Sequence, residues 1–169
     1  MSGFSKKVEV TANLAIIVVA IMLGYVLVKG FIFKPQPEIP KPRGLGKKIS
    51  LPGVDWQQNG NTLIFVLRQG CDYCTESSDF YKRIMNDATI KSKVRFMAVF
   101  PHSVEEGKTY LNEAGLAIAD VRQYPLSLLQ VNGTPSVLLV DSQGVVKNIW
   151  VGKLSQGLEN EAMASLVGL

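Results

Sequence analysis

Net charge is missing from most of this chain. Residues 44–169 carry twelve basic and twelve acidic side chains, whereas residues 1–43 carry six basic and two acidic, so the overall +4 belongs to the N-terminal part alone. Without a net positive field the larger part is not built to attract polyanions, which excludes nucleic-acid binding as its main activity. The pattern G-x-x-x-x-G-K-[ST] is absent too; Gly44 to Lys48 holds glycines and lysines but does not complete it, so no phosphate-cradling loop is expected. No internal repeat is visible, which excludes solenoids and propellers. Histidine occurs once, at His102, and cysteine twice, at Cys71 and Cys74. With 169 residues, 47% of them hydrophobic, the chain suffices for one cored domain and something extra.

The extra part comes first. From Val10 to Val28 nineteen residues pass without a charge, and Leu14 to Val28 is interrupted only by Gly24 and Tyr25. That is bilayer length. A cleavable signal peptide has a shorter apolar region followed by a small-x-small site, and here Val28-Lys29-Gly30-Phe31-Ile32-Phe33 follows instead. The expectation is an uncleaved single-pass transmembrane helix over residues 10–33, behind a short N-terminal tail, residues 1–9. Lys29, Lys34, Lys41, Arg43, Lys47 and Lys48 follow the span and only Lys6 and Lys7 precede it, a balance that taken alone keeps the domain in the cytoplasm. The short tail is that of a signal anchor, and large C-terminal domains cross despite flanking charge, so the exported side, periplasmic or extracellular, is preferred.

Four prolines within the nine residues Lys34 to Pro42 then favour an extended spacer. Residues 34–49 read as a linker and residues 50–169 as the domain. Within it Leu63–Leu67 is a short apolar run suited to a buried strand, and Thr75–Met85 has helical spacing. Val94–Phe100 is a second strand, closed by Pro101. Ser103 and Glu106 form a capping-box pattern for a helix over Val104–Glu113 that stops near Gly115. A short helical piece covers Leu126–Gln130. Ser136–Val140 and Val145–Val151, separated by Asp141-Ser142-Gln143-Gly144, form an antiparallel hairpin, and Glu159–Val167 ends the chain as a helix. The fold class is α/β: a mixed sheet with helices on both faces.

The two cysteines stand three apart, as Cys71-Asp72-Tyr73-Cys74, between an expected strand and an expected helix. There the first sulfur meets the unpaired N–H groups of a helix N-terminus, which stabilise a thiolate. A free thiol has a pKa of about 8.5, and C-x-x-C sites of this type bring it to roughly 3.5–7.5. Cys71 is therefore the expected nucleophile, and Cys74, one turn on, the sulfur that resolves a mixed disulfide. As a structural staple the pair is poorly placed. Loop-closure entropy contributes only about 2 kcal/mol for a four-residue loop, against about 4 for sixty residues.

These residues carry a resemblance. Cys71-Asp72-Tyr73-Cys74 after Leu63-Ile64-Phe65-Val66-Leu67-Arg68, then Gly133-Thr134-Pro135-Ser136-Val137-Leu138-Leu139-Val140-Asp141 and Gly144, resembles the thioredoxin superfamily over about residues 50–169. Within it the sequence is similar to the membrane-anchored redoxins of the bacterial envelope, the group that includes cytochrome-c-maturation thioredoxins. The sixty-four residues from Cys71 to Pro135 look like that group's helix-bearing insertion, here roughly Pro101 to Gln130. The resemblance implies a thiol-disulfide oxidoreductase without cofactor or metal, whose partners are disulfide- or dithiol-bearing envelope proteins. It implies a cis bond at Thr134-Pro135, a substrate strand paired at Thr134, an exposed Tyr73 that touches partners, and a Gly152 that lets the last strand and helix approach the site. Trp56 and Tyr81 could join Tyr73 in an aromatic surface near the site, but core or rim packing is the expectation for both.

Three positions depart from the family pattern. Gly70 replaces the usual Trp before the first cysteine, and Phe65 stands where thioredoxin carries a buried acid. Asp72 puts a negative charge between the cysteines, opposing a thiolate that Arg68 can offset. Asp72 motivates the expectation of a moderately reducing protein, one that a potential as oxidising as roughly −120 mV overturns.

Two rivals share the fold. A thiol peroxidase places Pro and Thr or Ser seven and three residues before its cysteine, and Ile64 and Arg68 stand there instead. A copper-binding assembly factor uses two cysteines and one histidine, which makes His102 its candidate ligand, but those proteins resemble C-x-x-x-C.

Overall fold

The computed structural model describes residues 16–25 and 43–169. The chain divides into two units, Met1–Pro40 and Lys41–Leu169. In the first, the described residues 16–25 are helical (α1), and Ile16, Ile17, Val18, Val19, Ile21, Met22, Leu23 and Tyr25 are all exposed. Among the described residues no helix is long and apolar enough to cross a membrane. The remainder of the expected span, residues 10–15 and 26–33, lies outside them, as do the N-terminal tail and the proline-rich spacer up to Pro42.

The second unit is built on a five-stranded mixed sheet. In chain order come α2 (Trp56–Asn59), β1 (Thr62–Val66), α3 (Asp72–Glu76), α4 (Ser78–Asn86), α5 (Ala88–Lys93), β2 (Arg95–Phe100), α6 (Val104–Ala114), β3 (Asp120–Gln123), a 3-10 turn (Leu126–Leu129), β4 (Ser136–Val140), β5 (Val146–Val151) and α7 (Gln156–Val167). The sheet order is β3-β2-β1-β4-β5. β1, β2 and β3 run parallel, while β4 is antiparallel to both β1 and β5. All five residues of β1 and all five of β4 are buried, as continuous apolar runs at a sheet centre require.

Alternation along the strands sends side chains to two cores. Leu63, Phe65, Ala98, Phe100, Val137 and Leu139 pack with Phe80, Tyr81 and Ile84 of α4, Tyr110 and Leu111 of α6, and Ala162 and Leu166 of α7. On the other face Ile64, Val66, Met97, Val99, Leu138 and Val140 meet Trp56 of α2, Leu129 of the 3-10 turn, and Ile49 and Leu51. Helices thus flank the sheet unequally: the long ones gather on one face, and short pieces cover the other.

The expected strands, the hairpin and the capping box are present. Ser103 accepts from the Glu106 N–H at 3.2 Å while the Glu106 carboxylate accepts from the Ser103 N–H at 3.0 Å, and Gly115 ends α6 at φ 68°. Four features depart from expectation. The helix expected over Thr75–Met85 starts earlier, at Asp72, and is broken at Ser77, whose hydroxyl donates to the Tyr73 carbonyl at 2.7 Å. The C-terminal helix begins at Gln156, a turn before Glu159. The inserted segment contributes a strand, β3, beside α6. Finally Gly44 to Ile49, expected as flexible linker, is tied to the hairpin: the Gly46 N–H donates to Val146 O at 2.8 Å, the Ile49 N–H to Gly144 O at 2.9 Å, and Lys48 bridges Val145.

Candidate functional site

The site lies where β1 ends. After Leu67 the chain turns through Arg68, Gln69 and Gly70, and Gly70 adopts φ 70°, a conformation that side chains resist. Cys71 then takes an extended conformation as the N-cap of α3. It is joined to Cys74 in a disulfide with Cα atoms 5.2 Å apart. The Cys71 sulfur accepts from the Cys74 N–H at 3.2 Å, the part that a serine or aspartate oxygen plays in ordinary caps. α3 has only five residues, so this direct N–H contact, rather than a long helix dipole, is what favours negative charge on the sulfur.

The two sulfurs are not equivalent. Cys71 keeps 7% of its surface exposed and Cys74 none, so a partner can reach only the first. A reactive thiolate needs access as well as a lowered pKa.

The loop leading into β4 supplies the opposite wall. The Thr134-Pro135 bond is cis, and the Thr134 hydroxyl lies 3.6 Å from the Cys71 sulfur, within reach for donation to it. The Thr134 carbonyl oxygen also lies 3.6 Å away. The Gly152 N–H donates to Pro135 O at 2.7 Å, which ties the end of β5 to this loop. Gly152 has φ 77° and nothing within 4 Å of where a Cβ would stand, so backbone conformation rather than close approach calls for glycine there.

Tyr73 projects from α3 with 61% of its surface exposed. Trp56 and Tyr81, by contrast, are buried. Phe65, in place of a buried acid, packs edge-on against Tyr81 at 5.1 Å, and burial pushes the Tyr81 phenol far above its ordinary range. No proton-carrying acid stands behind the cysteines on β1. Arg68 and Asp72 are both exposed, and among the described residues neither forms an ion pair. Solvent therefore screens whatever influence they have on Cys71.

Sequence reasoning missed two contacts. Lys153 donates to Glu76 at 2.6 Å, joining the loop after β5 to the end of α3, and this contact raises the lysine pKa. Both partners were visible as opposite charges, but seventy-seven residues apart. His102 accepts at Nε2 from the Gln69 N–H at 2.9 Å, so the copper reading would have to break that bond. Among the described residues no group of three His, Cys, Asp or Glu could hold a metal ion.

No protein-family profile matches the sequence, and no curated protein matches it. Solved structures do. A thioredoxin-like superfamily protein superposes at a TM-score of 0.53 and 19% identity, over 74% of this chain and 97% of that one. The thioredoxin domain of a thiol-disulfide oxidoreductase from Bacteroides vulgatus gives 0.52 and 17%, over 74% and 97%. A proposed thiol:disulfide interchange protein DsbE from Chlorobium tepidum gives 0.51 and 20%, over 75% and 99%. At such identities the likeness is one of fold. The chain has the thioredoxin-like fold, that of these thiol-disulfide oxidoreductases, with its C-x-x-C pair at disulfide distance.

Proposed function

We propose that this thioredoxin-like chain is a thiol-disulfide oxidoreductase, held at a membrane by its N-terminal apolar segment, that reduces or exchanges disulfides in partner proteins. One observation carries the chemistry: Cys71, with 7% of its surface exposed against none for Cys74, caps α3 through a sulfur that accepts from the Cys74 N–H beside the Thr134 hydroxyl.

In the reductive direction the Cys71 thiolate attacks one sulfur of a partner disulfide. The partner S–S bond breaks, its second sulfur leaves as a thiolate that takes up a proton, and a mixed disulfide joins Cys71 to the partner. Cys74 then loses its proton and attacks the Cys71 sulfur, releasing the partner's other thiol and leaving Cys71–Cys74 oxidised. Two electrons pass to the partner, and a dithiol-bearing protein must return them. The Cys74 N–H and the Thr134 hydroxyl serve the step in which Cys71 carries charge, as attacking or as leaving group. Tyr73 and the Thr134 backbone offer the surface for the partner strand.

Anchoring rests on the nineteen uncharged residues from Val10 to Val28 and on the exposed apolar faces of residues 16–25. The exported side is preferred, where partner disulfides persist.

Insulin reduction by the wild type and not by Cys71→Ser is the expected result; equal rates overturn the reading. Cys74→Ser should accumulate a mixed disulfide whose partner mass spectrometry identifies. Resistance of the full chain to carbonate extraction tests the anchor, and protease protection of sealed vesicles tests the side.

A further inference from the structure

Beside the cysteine loop stands a side chain with no part in the exchange just described. His102 follows β2, and its Nε2 accepts the Gln69 N–H at 2.9 Å across thirty-three residues of sequence. Gln69 lies in the turn from β1 to Cys71, two residues before the nucleophile. Little else holds that turn. Arg68, Gln69 and Gly70 are exposed, and among the described residues no backbone-to-backbone hydrogen bond ties any of the three to another strand or helix.

The other side of the ring is costly to fold. Only a neutral imidazole can accept at Nε2, which leaves the ring proton on Nδ1. Among the described residues Nδ1 is buried without a partner, and the ring lies tilted against Phe100 with centroids 5.5 Å apart. A buried donor left unpaired works against stability. Against that cost stands the one hydrogen bond His102 makes among the described residues, the acceptor it offers to Gln69. The nearby charge on α6, Glu106, is already engaged by the N–H and hydroxyl of Ser103.

We propose that His102 is a positioning residue for the nucleophile: by accepting the Gln69 N–H it fixes the turn that presents the Cys71 sulfur to the Cys74 N–H and the Thr134 hydroxyl. The inference rests on the exchange reaction proposed above. It acts through the backbone, so its loss misaligns donors rather than removing them.

The test is the rate of Cys71 alkylation by iodoacetamide against pH in the reduced full chain, alongside thermal unfolding. His102→Phe fills the site without an acceptor and is expected to react about three- to tenfold more slowly near neutral pH, the weight of about one hydrogen bond, with the pH midpoint moved upward. His102→Gln can place its amide oxygen where Nε2 stood and should return to within about twofold of wild type. His102→Asn, polar but too short to reach Gln69, should show the same loss as His102→Phe, and it serves if the phenylalanine variant does not fold. A wild-type profile in His102→Phe or His102→Asn, or a His102→Gln variant as slow as they are, overturns the proposal. Insulin reduction by wild type separates the two claims: an active wild type with unaltered His102 variants refutes the positioning role alone, and an inactive wild type refutes the exchange reaction.

Discussion

Replacing Gly107 by alanine sets two measurable effects against each other. Gly107 lies in α6, where alanine is favoured over glycine by about 0.8–1 kcal/mol. A Cβ there, however, would stand 2.7 Å from Cδ2, 3.0 Å from Cε2 and 3.1 Å from Cγ of Phe100. The Phe100 ring cannot yield easily: it is fully buried, with the Tyr110 ring 5.8 Å away on one side and the His102 ring 5.5 Å away on another. Overpacking of this type costs about 1–3 kcal/mol. The net expectation is a loss of about 1 kcal/mol, and as much as about 2 if α6 is lifted from the sheet. Gly157, in the first turn of α7, provides the matched control, because nothing lies within 4 Å of its would-be Cβ. Gly157→Ala should gain a few tenths to about 1 kcal/mol from backbone entropy alone. Urea unfolding of both variants decides the matter. Opposite shifts in midpoint at unchanged slope are expected. A Gly107→Ala protein as stable as wild type, or two shifts of the same sign, refutes the packing argument.

Thr134→Val keeps the shape beside Cys71 and removes the hydroxyl 3.6 Å from its sulfur, so alkylation near neutral pH should slow by about threefold, corresponding to about half a pKa unit; an unchanged rate denies the hydroxyl a role. Gly152→Ala should cost about 1–2 kcal/mol in urea unfolding, because φ 77° is strained for any side chain even with open space around it; no loss would mean that the loop relaxes freely. Burial raises the Tyr81 phenol above its ordinary 10.0. Its folded value exceeds its unfolded one, so its contribution is complete below about pH 10 and declines as pH rises toward the folded value. Thermal unfolding should therefore fall off above about pH 10, and Tyr81→Phe should reduce that decline relative to its own stability at neutral pH; an alkaline limb identical in both proteins contradicts the burial argument.

Local chemistry was legible wherever it was written in adjacent residues. The all-apolar run at Leu63–Leu67 became the central strand, and the Asp141–Gly144 turn closed as expected, with Asp141 accepting from the N–H groups of Gln143 and Val145. The cysteine pair at the strand–helix junction was likewise a statement about neighbours. What escaped was of two kinds. β3 is a four-residue edge strand whose Asp120 and Arg122 pair with each other, leaving too little apolar periodicity to distinguish it from a loop. α2 is one turn, started by Asp55 accepting from Gln57 and Gln58, and a single turn has no period to detect. The rest was non-local. Ser77 breaks a continuous helical pattern through a hydroxyl that any serine carries. The contacts of His102 with Gln69, and of Lys153 with Glu76, depend on which strand ends the sheet brings together, and that order is not encoded in spacing.

The pairing of Gly46 to Ile49 with the β5 hairpin fixes where a soluble fragment must begin. Cutting at residue 50 would remove Ile49 from the second core and strip the Val145–Val146 edge of its hydrogen-bonding neighbour, leaving an open strand free to recruit another copy. A fragment starting no later than Arg43 keeps that edge closed, and its titrations would then report on the cysteines rather than on aggregation.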